Sequence, residues 1–330
     1  MTEINKTIFD NFQVRKTSRQ KTAFIDFATD KISSLGYDVR VEKASFGSRN
    51  IVVGDVESAK VVYTAHYDTQ PVLPFPNFIT PRCFPIYLIY QIVLTLFILF
   101  VPAAVGFAIG VPTYLLLKAL CVPAEILDIV IHIVSCALVI AALLIVMFGP
   151  ANKHTANDNT SGVCTLFEIM EKLPAQMRYR AAFVFFDNEE LGLIGSSSFA
   201  SKHKNTMKNK LLINFDCVSD GDNMLFAVKP KAKKYIPYLE KAYETREGFS
   251  VGIYSKGVIY PSDQASFAMG VGACALKKSK KFNILYMDRI HTPRDTVYNE
   301  ENVRFFADGS VKLLSVLHSD NAEINSEIQS

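Results

Sequence analysis

Residues 181–190 read AAFVFFDNEE, a short apolar run that ends in a cluster of acidic side chains. An uninterrupted apolar run of this length is typical of a strand buried on both faces of a sheet. The arrangement recurs, since strand-like runs precede three further polar residues: 60–65 before His66, 211–215 before Asp216 and 282–287 before His291. Helical stretches such as 161–173 and 235–246 lie between the runs. The alternation predicts an α/β fold with helices on the faces of a sheet.

Five polar pieces, widely separated along the chain, carry the candidate chemistry: His66-Tyr67-Asp68, Asn157-Asp158-Asn159, Glu189-Glu190, Asp216 and His291. Sites in α/β sheets form beyond the carboxyl ends of strands, which is where most of these pieces stand. Imidazole and carboxylate groups are zinc ligands, and two zinc ions that share one carboxylate lie about 3.5 to 4 Å apart. The pieces therefore predict a site for two metal ions.

The five polar pieces contain more carboxylates than two metal ions need as ligands. Asp68 stands two residues after His66, where it can accept a hydrogen bond from the imidazole or steady the loop. Adjacent side chains point in different directions, so one of Glu189 and Glu190 can bind metal while the other accepts a proton. The residues alone leave open which glutamate does which.

Composition sets limits on the partners. The chain has 330 residues with 35 basic and 32 acidic side chains, a net charge of +3 that gives no reason to expect nucleic acid. The six cysteines show no CxxC spacing, which predicts free thiols in a reducing compartment. Residues 1–30 have scattered charges and no apolar core of the kind a secretory signal needs, so we expect the soluble part to stay in the cytosol.

A long apolar block interrupts the polar pieces. No charged residue occurs in 83–117, and a second apolar stretch, 129–149, carries one histidine, His132. Each stretch exceeds the roughly 20 apolar residues that span a bilayer core. We predict an inserted transmembrane hairpin over 83–149, with helices at about 84–117 and 126–149. Residues 1–82 and 150–330 would form one discontinuous catalytic domain. Two buried core helices are the alternative, but they require a larger soluble domain around them.

The predicted site fixes how the hairpin crosses the bilayer. If His66 and Asp158 bind the same metal, both ends of the block emerge on one face, so the number of crossings is even, and two is the natural count. Arg82 and Lys153 flank the root, which favours an integral protein of the cell membrane with a cytoplasmic catalytic domain. A GxxxG motif formed by Gly106 and Gly110 predicts a helix contact, either within one hairpin or between hairpins of a homo-oligomer.

Longer motifs around the polar pieces carry a specific resemblance. They are His66-Tyr67-Asp68-Thr69, Ala156-Asn157-Asp158-Asn159-Thr160-Ser161-Gly162-Val163, the segment 187–196, Asp216, Ser262-Asp263 and the segment 290–296. Together they resemble the zinc-dependent aminopeptidase family that includes bacterial leucyl aminopeptidases, glutamate carboxypeptidase II and glutaminyl cyclases. The resemblance covers 10–80 and 150–318, essentially everything outside the apolar block.

This resemblance implies a mixed, mainly parallel sheet flanked by helices, and a role for each site residue. One Zn²⁺ would be held by His66, Asp158 and Asp216, and a second by Asp158, Glu190 and His291. Glu189 would be the general base, and we group Asp68 with it as catalytic. Tyr260 and Asp263 are candidates for contact with the substrate or oxyanion. Family members often have a histidine after the Ser-Asp pair, and here Gln264 stands instead, which puts a role for that position in doubt.

The implied activity is removal of N-terminal residues from peptides, and a hairpin rooted beside the metals suggests hydrophobic or membrane-associated substrates. Two alternatives stay open. A glutaminyl cyclase-like acyltransferase would use the same scaffold, although the better-known cyclases place tryptophans around the substrate and this chain has none. A catalytically silent membrane receptor or scaffold would not need the full ligand set.

Overall fold

The computed structural model describes residues 1–73 and 77–328, and for Ala124 and 319–328 it describes the backbone alone. The strands are β1 (Val39–Lys43), β2 (Arg49–Val53), β3 (Val61–His66), β4 (Ala181–Phe186), β5 (Leu211–Phe215), β6 (Asn223–Val228), β7 (Ser250–Tyr254), β8 (Gly270–Lys278) and β9 (Leu285–Tyr286). The helices are α1 (Glu3–Asn11), α2 (Ser18–Ser34), α3 (Phe84–Ala119), α4 (Ala124–Phe148), α5 (Gly162–Lys172), α6 (Ile194–Lys202), α7 (Lys204–Met207), α8 (Ile236–Ala242) and α9 (Glu300–Ile328).

Within the described residues, the strands form one nine-stranded mixed sheet in the order β1-β2-β4-β3-β5-β8-β6-β7, with β9 paired to β8. The four central strands, β4, β3, β5 and β8, are parallel. Antiparallel strands flank them on both sides, β2 beside β4 and β6 beside β8. The predicted α/β class with a mixed sheet and flanking helices is confirmed.

Side chains of the central strands are buried on both faces of the sheet. Tyr63 packs in a cluster with residues of α2, α5, α8 and α9, whereas Val62 on the opposite face packs with Phe199 of α6 and Met207 of α7. Because helices cover both faces, these strands have no solvent-facing positions and read as uninterrupted apolar runs. For this reason the apolar runs in the sequence predicted β3, β4 and β5 close to their observed bounds.

One predicted strand is wrong. The run 282–287 forms only the two-residue β9, antiparallel to the charged end of β8 at the sheet's periphery, and Phe282 is 65% exposed. Lysines at 280 and 281 precede the run, and the chain turns sharply there, with Asn283 in a left-handed conformation at φ 54°. The strand that does complete the parallel core is β8, whose buried part is GVGACAL. Five of these seven residues are glycine, alanine or cysteine, which give a weak apolar pattern.

The apolar block forms two adjacent helices, α3 and α4, close to the predicted bounds, joined by a short turn at Leu120–Pro123. By length and composition alone both could cross a membrane. In α3 the buried residues are Pro102 and Gly106, so the pair is not wrapped by the rest of the chain. The interpretation as two core helices of a soluble domain is therefore disfavoured.

Hydrogen bonds hold the two ends of the insertion together at the edge of the domain that contains the sheet. The Val72 amide donates to the Pro150 carbonyl oxygen (2.9 Å), and the Asn152 amide donates to the Gln70 carbonyl oxygen (3.1 Å). Arg82, just before α3, stacks on the Tyr254 ring at 3.8 Å. The chain thus leaves and returns at nearly one point, as required if the residues on either side are to share a site.

The helix α3 is longer than its partner. It has 36 residues against 25 in α4, which at 1.5 Å per residue is about 54 Å against about 37 Å. Since a short turn joins the two at one end, the extra turns lie at the beginning of α3. Residues 87, 90, 91 and 94 there are half-buried at helical spacing, whereas 88, 89, 92 and 93 are exposed. One face of this overhang is therefore turned toward the domain that contains the sheet.

The GxxxG residues differ in their surroundings. A Cβ at Gly106 would lie 3.3 Å from Leu138 Cδ1 of α4, whereas one at Gly110 would meet nothing within 4 Å. Gly106 therefore serves a contact within one hairpin. A homo-oligomer through Gly106 and Gly110 stays a prediction.

Candidate metal centre

The predicted site residues converge at the carboxyl ends of the parallel strands. His66 is the last residue of β3, and Asp216 directly follows β5. Glu189 and Glu190 lie in the turn that follows β4, whose last residue Phe186 pairs with His66. Asp158 belongs to an irregular turn, 156–161, that leads directly into α5. The placement expected for an α/β sheet is therefore found.

Asp158 lies between the two histidines. Its Oδ1 is 3.3 Å from Nε2 of His66, and its Oδ2 is 2.7 Å from Nε2 of His291. Asp216 Oδ1 lies 3.6 Å from Nε2 of His66, and Glu190 Oε2 lies 3.4 Å from Nε2 of His291. Nε2 of each histidine therefore lies within 3.6 Å of Asp158 and of one further carboxylate.

Among the described residues, three sets of ligand atoms lie within 4.8 Å of one another and could each hold a metal ion. The sets are His66, Asp158 and Asp216; Asp158, Glu190 and His291; and His66, Glu189 and Glu190. The first two share Asp158, as they would if one carboxylate bridged two ions. They are the same two sets that the family resemblance implies, and the ligand roles themselves stay a prediction.

Two orphaned oxygens support a metal at this position. Asp158 Oδ1 and Glu190 Oε1 are buried, and within the described part of the chain neither takes part in a hydrogen bond of normal geometry. A buried carboxylate oxygen is costly unless a donor or a cation faces it. The surrounding imidazole and carboxylate donors are those that zinc accepts. The residues present therefore fit divalent ions such as zinc.

Asp68 holds three parts of the site in register. Its Oδ1 accepts from the backbone amide of Glu189 (3.0 Å), and its Oδ2 accepts from that of Glu190 (3.2 Å). The same carboxylate lies 3.5 Å from Nδ1 of His66, the nitrogen that faces away from Asp158 and Asp216. Asp68 thus fixes the imidazole and the two glutamates relative to one another. Both roles suggested by its spacing, partner of the histidine and support of the loop, fit this geometry.

Asp295 lies in the motif segment 290–296, and the structure gives it a role that the sequence does not indicate. Its carboxylate oxygens accept from the backbone amides of Asn157 (2.8 Å) and Asp158 (3.0 Å). Asp295 thus fixes the backbone at Asp158 in the same way as Asp68 fixes the backbone at the two glutamates. The only sequence signal is its place four residues after His291.

The two asparagines beside Asp158 connect the loops around it. Asn157 Oδ1 accepts from the amides of Ser219 (2.7 Å) and Asp220 (3.0 Å). Asn159 Nδ2 donates to the Phe215 carbonyl oxygen (3.0 Å), next to Asp216. These amide side chains stabilise the turn without adding charge. Asn157 and Asn159 therefore have a structural role beside the candidate ligand Asp158.

Backbone strain is concentrated at the same place. Asn188, Cys217 and His291 all have positive φ angles of 54° to 60°, and each is, or lies directly beside, a candidate site residue or its turn. Left-handed conformations are unfavourable for residues other than glycine, so the surrounding contacts must enforce them. Strain of this kind accumulates where side-chain direction matters for function.

Crowding of carboxylates perturbs proton affinity in the site. Removal from bulk water raises the pKa of Glu189 well above its usual range, and Glu190 and Asp263 add to this while His66 opposes it. Burial likewise raises the pKa of Glu190 to about 7. A carboxylate whose pKa lies near neutrality is suited to accept and return a proton.

Tyr260 and Asp263 have different positions. Tyr260 lines the cleft, with its hydroxyl donating to the Asp216 carbonyl oxygen at 2.8 Å. Asp263 is fully buried behind the cleft, where burial raises its pKa to about 7. Gln264 is engaged inside the fold, since its Nε2 donates to the Tyr260 carbonyl oxygen. Contact with substrate therefore remains a prediction for Tyr260 and is disfavoured for Asp263.

The candidate ligands open into a cleft of about 210 Å³. Its walls combine these charged groups with apolar side chains, among them Ile79, Met287 and Ile290. Two further lining residues, Tyr87 and Gln91, come from the overhang of α3 and are one helical turn apart. The first turns of the apolar hairpin are therefore part of the wall of the site.

Comparisons with known proteins agree with this geometry. The model of Peptidase family M28 matches residues 143–308. The fold is similar to the LapA aminopeptidase of Legionella pneumophila (14% identity, 95% of this chain and 68% of that chain, TM-score 0.55). It is also similar to glutaminyl cyclase of Porphyromonas gingivalis (15%, 94% and 95%, 0.54) and a Zn-dependent exopeptidase from Parabacteroides distasonis (14%, 94% and 94%, 0.54). The suspected family resemblance is confirmed, and the structural likeness shows a shared fold.

Metal binding at this centre should depend steeply on pH. Burial acts to lower the pKa of both histidines, but Glu189 near His66 and Glu190 near His291 outweigh it, so each pKa lies well above its usual range. Protonated imidazole cannot bind metal, so protons compete with zinc, and this competition strengthens as pH falls. Zinc retained after dialysis should therefore begin to decline above about pH 6.5, the ordinary pKa of histidine, and should fall further toward about pH 5.

The matched control is His203→Gln, which removes a histidine paired with Glu42 outside the cleft. This variant should reproduce the zinc-retention curve of the unaltered protein. Retention that stays constant down to about pH 5 would show that His66 and His291 are not ligands.

Proposed function

The chain belongs to peptidase family M28, and from that premise we propose that it is a membrane-anchored aminopeptidase that uses two zinc ions to remove N-terminal residues from peptides. The observation that carries the proposal is the pair of three-ligand sets sharing Asp158, with Glu189 beside them. The set of His66, Asp158 and Asp216 would hold one ion. The set of Asp158, Glu190 and His291 would hold the other.

Bound zinc would lower the pKa of an adjacent water and polarise the carbonyl group of the scissile peptide bond. Glu189, which belongs to neither of the two proposed sets, would accept the proton of the attacking water and then deliver it to the leaving amine. Its raised pKa suits both transfers. Asp68 holds the Glu189 amide and thereby keeps the carboxylate directed into the cleft.

The apolar part of the cleft wall supports a substrate with a hydrophobic N-terminal residue. Ile79, Met287 and Ile290 would contact the side chain of that residue, with Tyr87 and Gln91 bordering it from α3. Burial of an apolar side chain against such walls stabilises the complex through removal of water. Because two of the lining residues belong to the hairpin, peptides that reach the site along the membrane surface are the favoured substrate class.

The hairpin would anchor the enzyme in the cell membrane with the catalytic part on the cytoplasmic side. Support comes from the length of α3 and α4 and from their exposed apolar surface, which a bilayer would cover. The ends of the insertion meet beside the site, so two crossings return the chain to the same face. We propose the lipid bilayer as the constant partner of this hairpin.

Glutaminyl cyclisation is the second candidate, since a cyclase is among the similar structures. The two ligand sets and the apolar cleft favour hydrolysis. Incubation with a peptide that begins with glutamine separates the two activities, because an aminopeptidase releases one residue whereas a cyclase releases ammonia. A receptor or scaffold without catalysis would bind no stoichiometric zinc or leave small aminoacyl substrates intact.

Glu189→Gln should retain two zinc ions per chain and lose turnover by about 10²- to 10⁴-fold, since the amide cannot accept the water proton. Metal content by elemental analysis and hydrolysis of a leucine-initiated peptide provide the two measurements. Glu57→Gln, at an exposed loop acid, is the control and should leave both unchanged. A Glu189→Gln protein with both metal ions and full turnover would remove Glu189 from the mechanism.

Tyr87→Ala should lower kcat/KM for peptides with a large apolar N-terminal residue by about tenfold, with a smaller effect on peptides that begin with alanine, because an apolar contact in the cleft is lost. Leu88→Ala is the matched control, since Leu88 is next to Tyr87 but 44% exposed on the other face of α3. Equal losses for both peptides would argue that α3 does not contact the substrate side chain.

Cys121 at the tip of the hairpin offers a test of topology. It is exposed, whereas Cys164, Cys217 and Cys274 are buried free thiols. With Cys83 and Cys136 replaced by serine, a thiol reagent that cannot cross membranes should label Cys121 from outside intact cells. A cysteine introduced by Glu57→Cys should be labelled only after permeabilisation. Labelling of Cys121 from the cytosolic side alone would contradict the proposed two crossings.

A further inference from the structure

A chain of side-chain contacts connects the candidate ligand His291 to the apolar helix α3. His291 turns Nε2 toward Asp158 and Glu190, and its other ring nitrogen, Nδ1, lies 3.4 Å from Nδ2 of Asn77. The amide oxygen of Asn77 accepts from the hydroxyl of Tyr90 at 3.1 Å. Asn77 is only 5% exposed, so its side chain is committed to these neighbours.

Backbone hydrogen bonds also connect the segment that carries Asn77 with the segment that carries His291. Ile79 and Met287 exchange two backbone hydrogen bonds, at 2.9 and 3.0 Å, and the Leu73 amide donates to the His291 carbonyl oxygen at 2.9 Å. The segment that carries Asn77 is thereby fastened to the loop that carries His291. His291 itself has a left-handed φ of 60° and follows a strand of only two residues, so no regular element fixes its ring. Its orientation must come from side-chain neighbours.

The chemistry of a ligating imidazole defines what Asn77 can do. When Nε2 binds metal, Nδ1 carries the proton and needs an acceptor, which in metal sites is usually a carboxylate, a carbonyl oxygen or water. A half-turn of the Asn77 amide exchanges its oxygen and nitrogen, so that the oxygen accepts from His291 and the nitrogen donates to Tyr90. The Tyr90 hydroxyl both donates and accepts, so it matches either orientation.

We propose that Asn77 and Tyr90 are positioning residues for the second metal ion, with Tyr90 orienting Asn77 and Asn77 orienting His291. The inference rests on the proposed two-zinc function and extends it, because it makes the hairpin a part of the metal centre. Tyr90 lies in the overhang of α3, beyond the end of α4. The anchor and the metal centre are therefore mechanically connected through one amide side chain.

The test measures zinc affinity of the full-length protein in lipid nanodiscs by competition with a chelator. Asn77→Leu should weaken binding of one of the two zinc ions about 10- to 100-fold and leave the other unaffected. Tyr90→Phe removes only a hydroxyl and should weaken the same ion about three- to tenfold. Asn77→Asp restores an acceptor for Nδ1–H and should bind close to wild type. Tyr114→Phe, a half-buried tyrosine farther along α3, is the matched control and should change nothing.

Cobalt substitution adds a readout that does not depend on turnover. The visible spectrum of Co²⁺ at the His291 position should change in Asn77→Leu and Tyr90→Phe, and revert in Asn77→Asp. Affinities and spectra unchanged in both Asn77→Leu and Tyr90→Phe would overturn the positioning role. So would an equal loss of both ions in Asn77→Leu with no restoration in Asn77→Asp, which would indicate a general packing defect.

The outcome for the wild-type protein separates this inference from the function on which it rests. Wild type that binds two zinc ions but hydrolyses no peptide would overturn the aminopeptidase proposal, and the affinities of the variants would still decide the role of Asn77 and Tyr90. Wild type that binds fewer than two ions would overturn the two-zinc centre and the positioning role together.

Discussion

The arrangement depends on Asp158, whose two carboxylate oxygens lie 3.3 and 2.7 Å from Nε2 of His66 and His291. Around it the fold gathers further acids in a small volume: Asp68, Glu189, Glu190 and Asp216. Two imidazoles cannot neutralise that many carboxylates, and unpaired charge away from water is strongly unfavourable. Divalent cations resolve the conflict, since each one replaces several missing donors at once. A folded state with this cluster is therefore most stable when it binds metal, and the orphaned oxygens of Asp158 and Glu190 mark where.

Sharing a site between residues on either side of a long insertion constrains the whole chain. His66 and Asp158 are separated by the hairpin, yet their side chains lie 3.3 Å apart. The connection is tolerated because the insertion closes on itself at its root, where Gln70 and Val72 pair with Asn152 and Pro150. A loop whose ends are already close adds little conformational cost to the domain it interrupts. The sheet can therefore form although the insertion interrupts the chain.

The sequence predicted those parts of the fold that are determined by the burial of a short continuous segment. β3, β4 and β5 are covered on both faces, so burial leaves an uninterrupted apolar run, and the polar residue after each run marks the active edge of the sheet. β8 lies equally deep, but five of its seven buried residues are glycine, alanine or cysteine, whose apolar pattern is weak. The run 282–287 has the opposite character, strongly apolar in sequence but peripheral in the fold. Asp295 and Asn77 could not be assigned roles because their function lies in partners distant along the chain.

The length difference between α3 and α4 connects the proposed membrane anchor with the candidate metal site. The 25 residues of α4 reach about 37 Å, enough to cross a bilayer core of about 30 Å, so in the proposed membrane arrangement the additional turns of α3 would extend past the core toward the candidate metal site. Those turns carry Tyr87, Tyr90 and Gln91, whose polar groups suit the interface better than the hydrocarbon region. An anchor alone would need no such overhang. A helix that must both cross the bilayer and form one wall of the cleft needs to be longer than its partner, which is the asymmetry seen here.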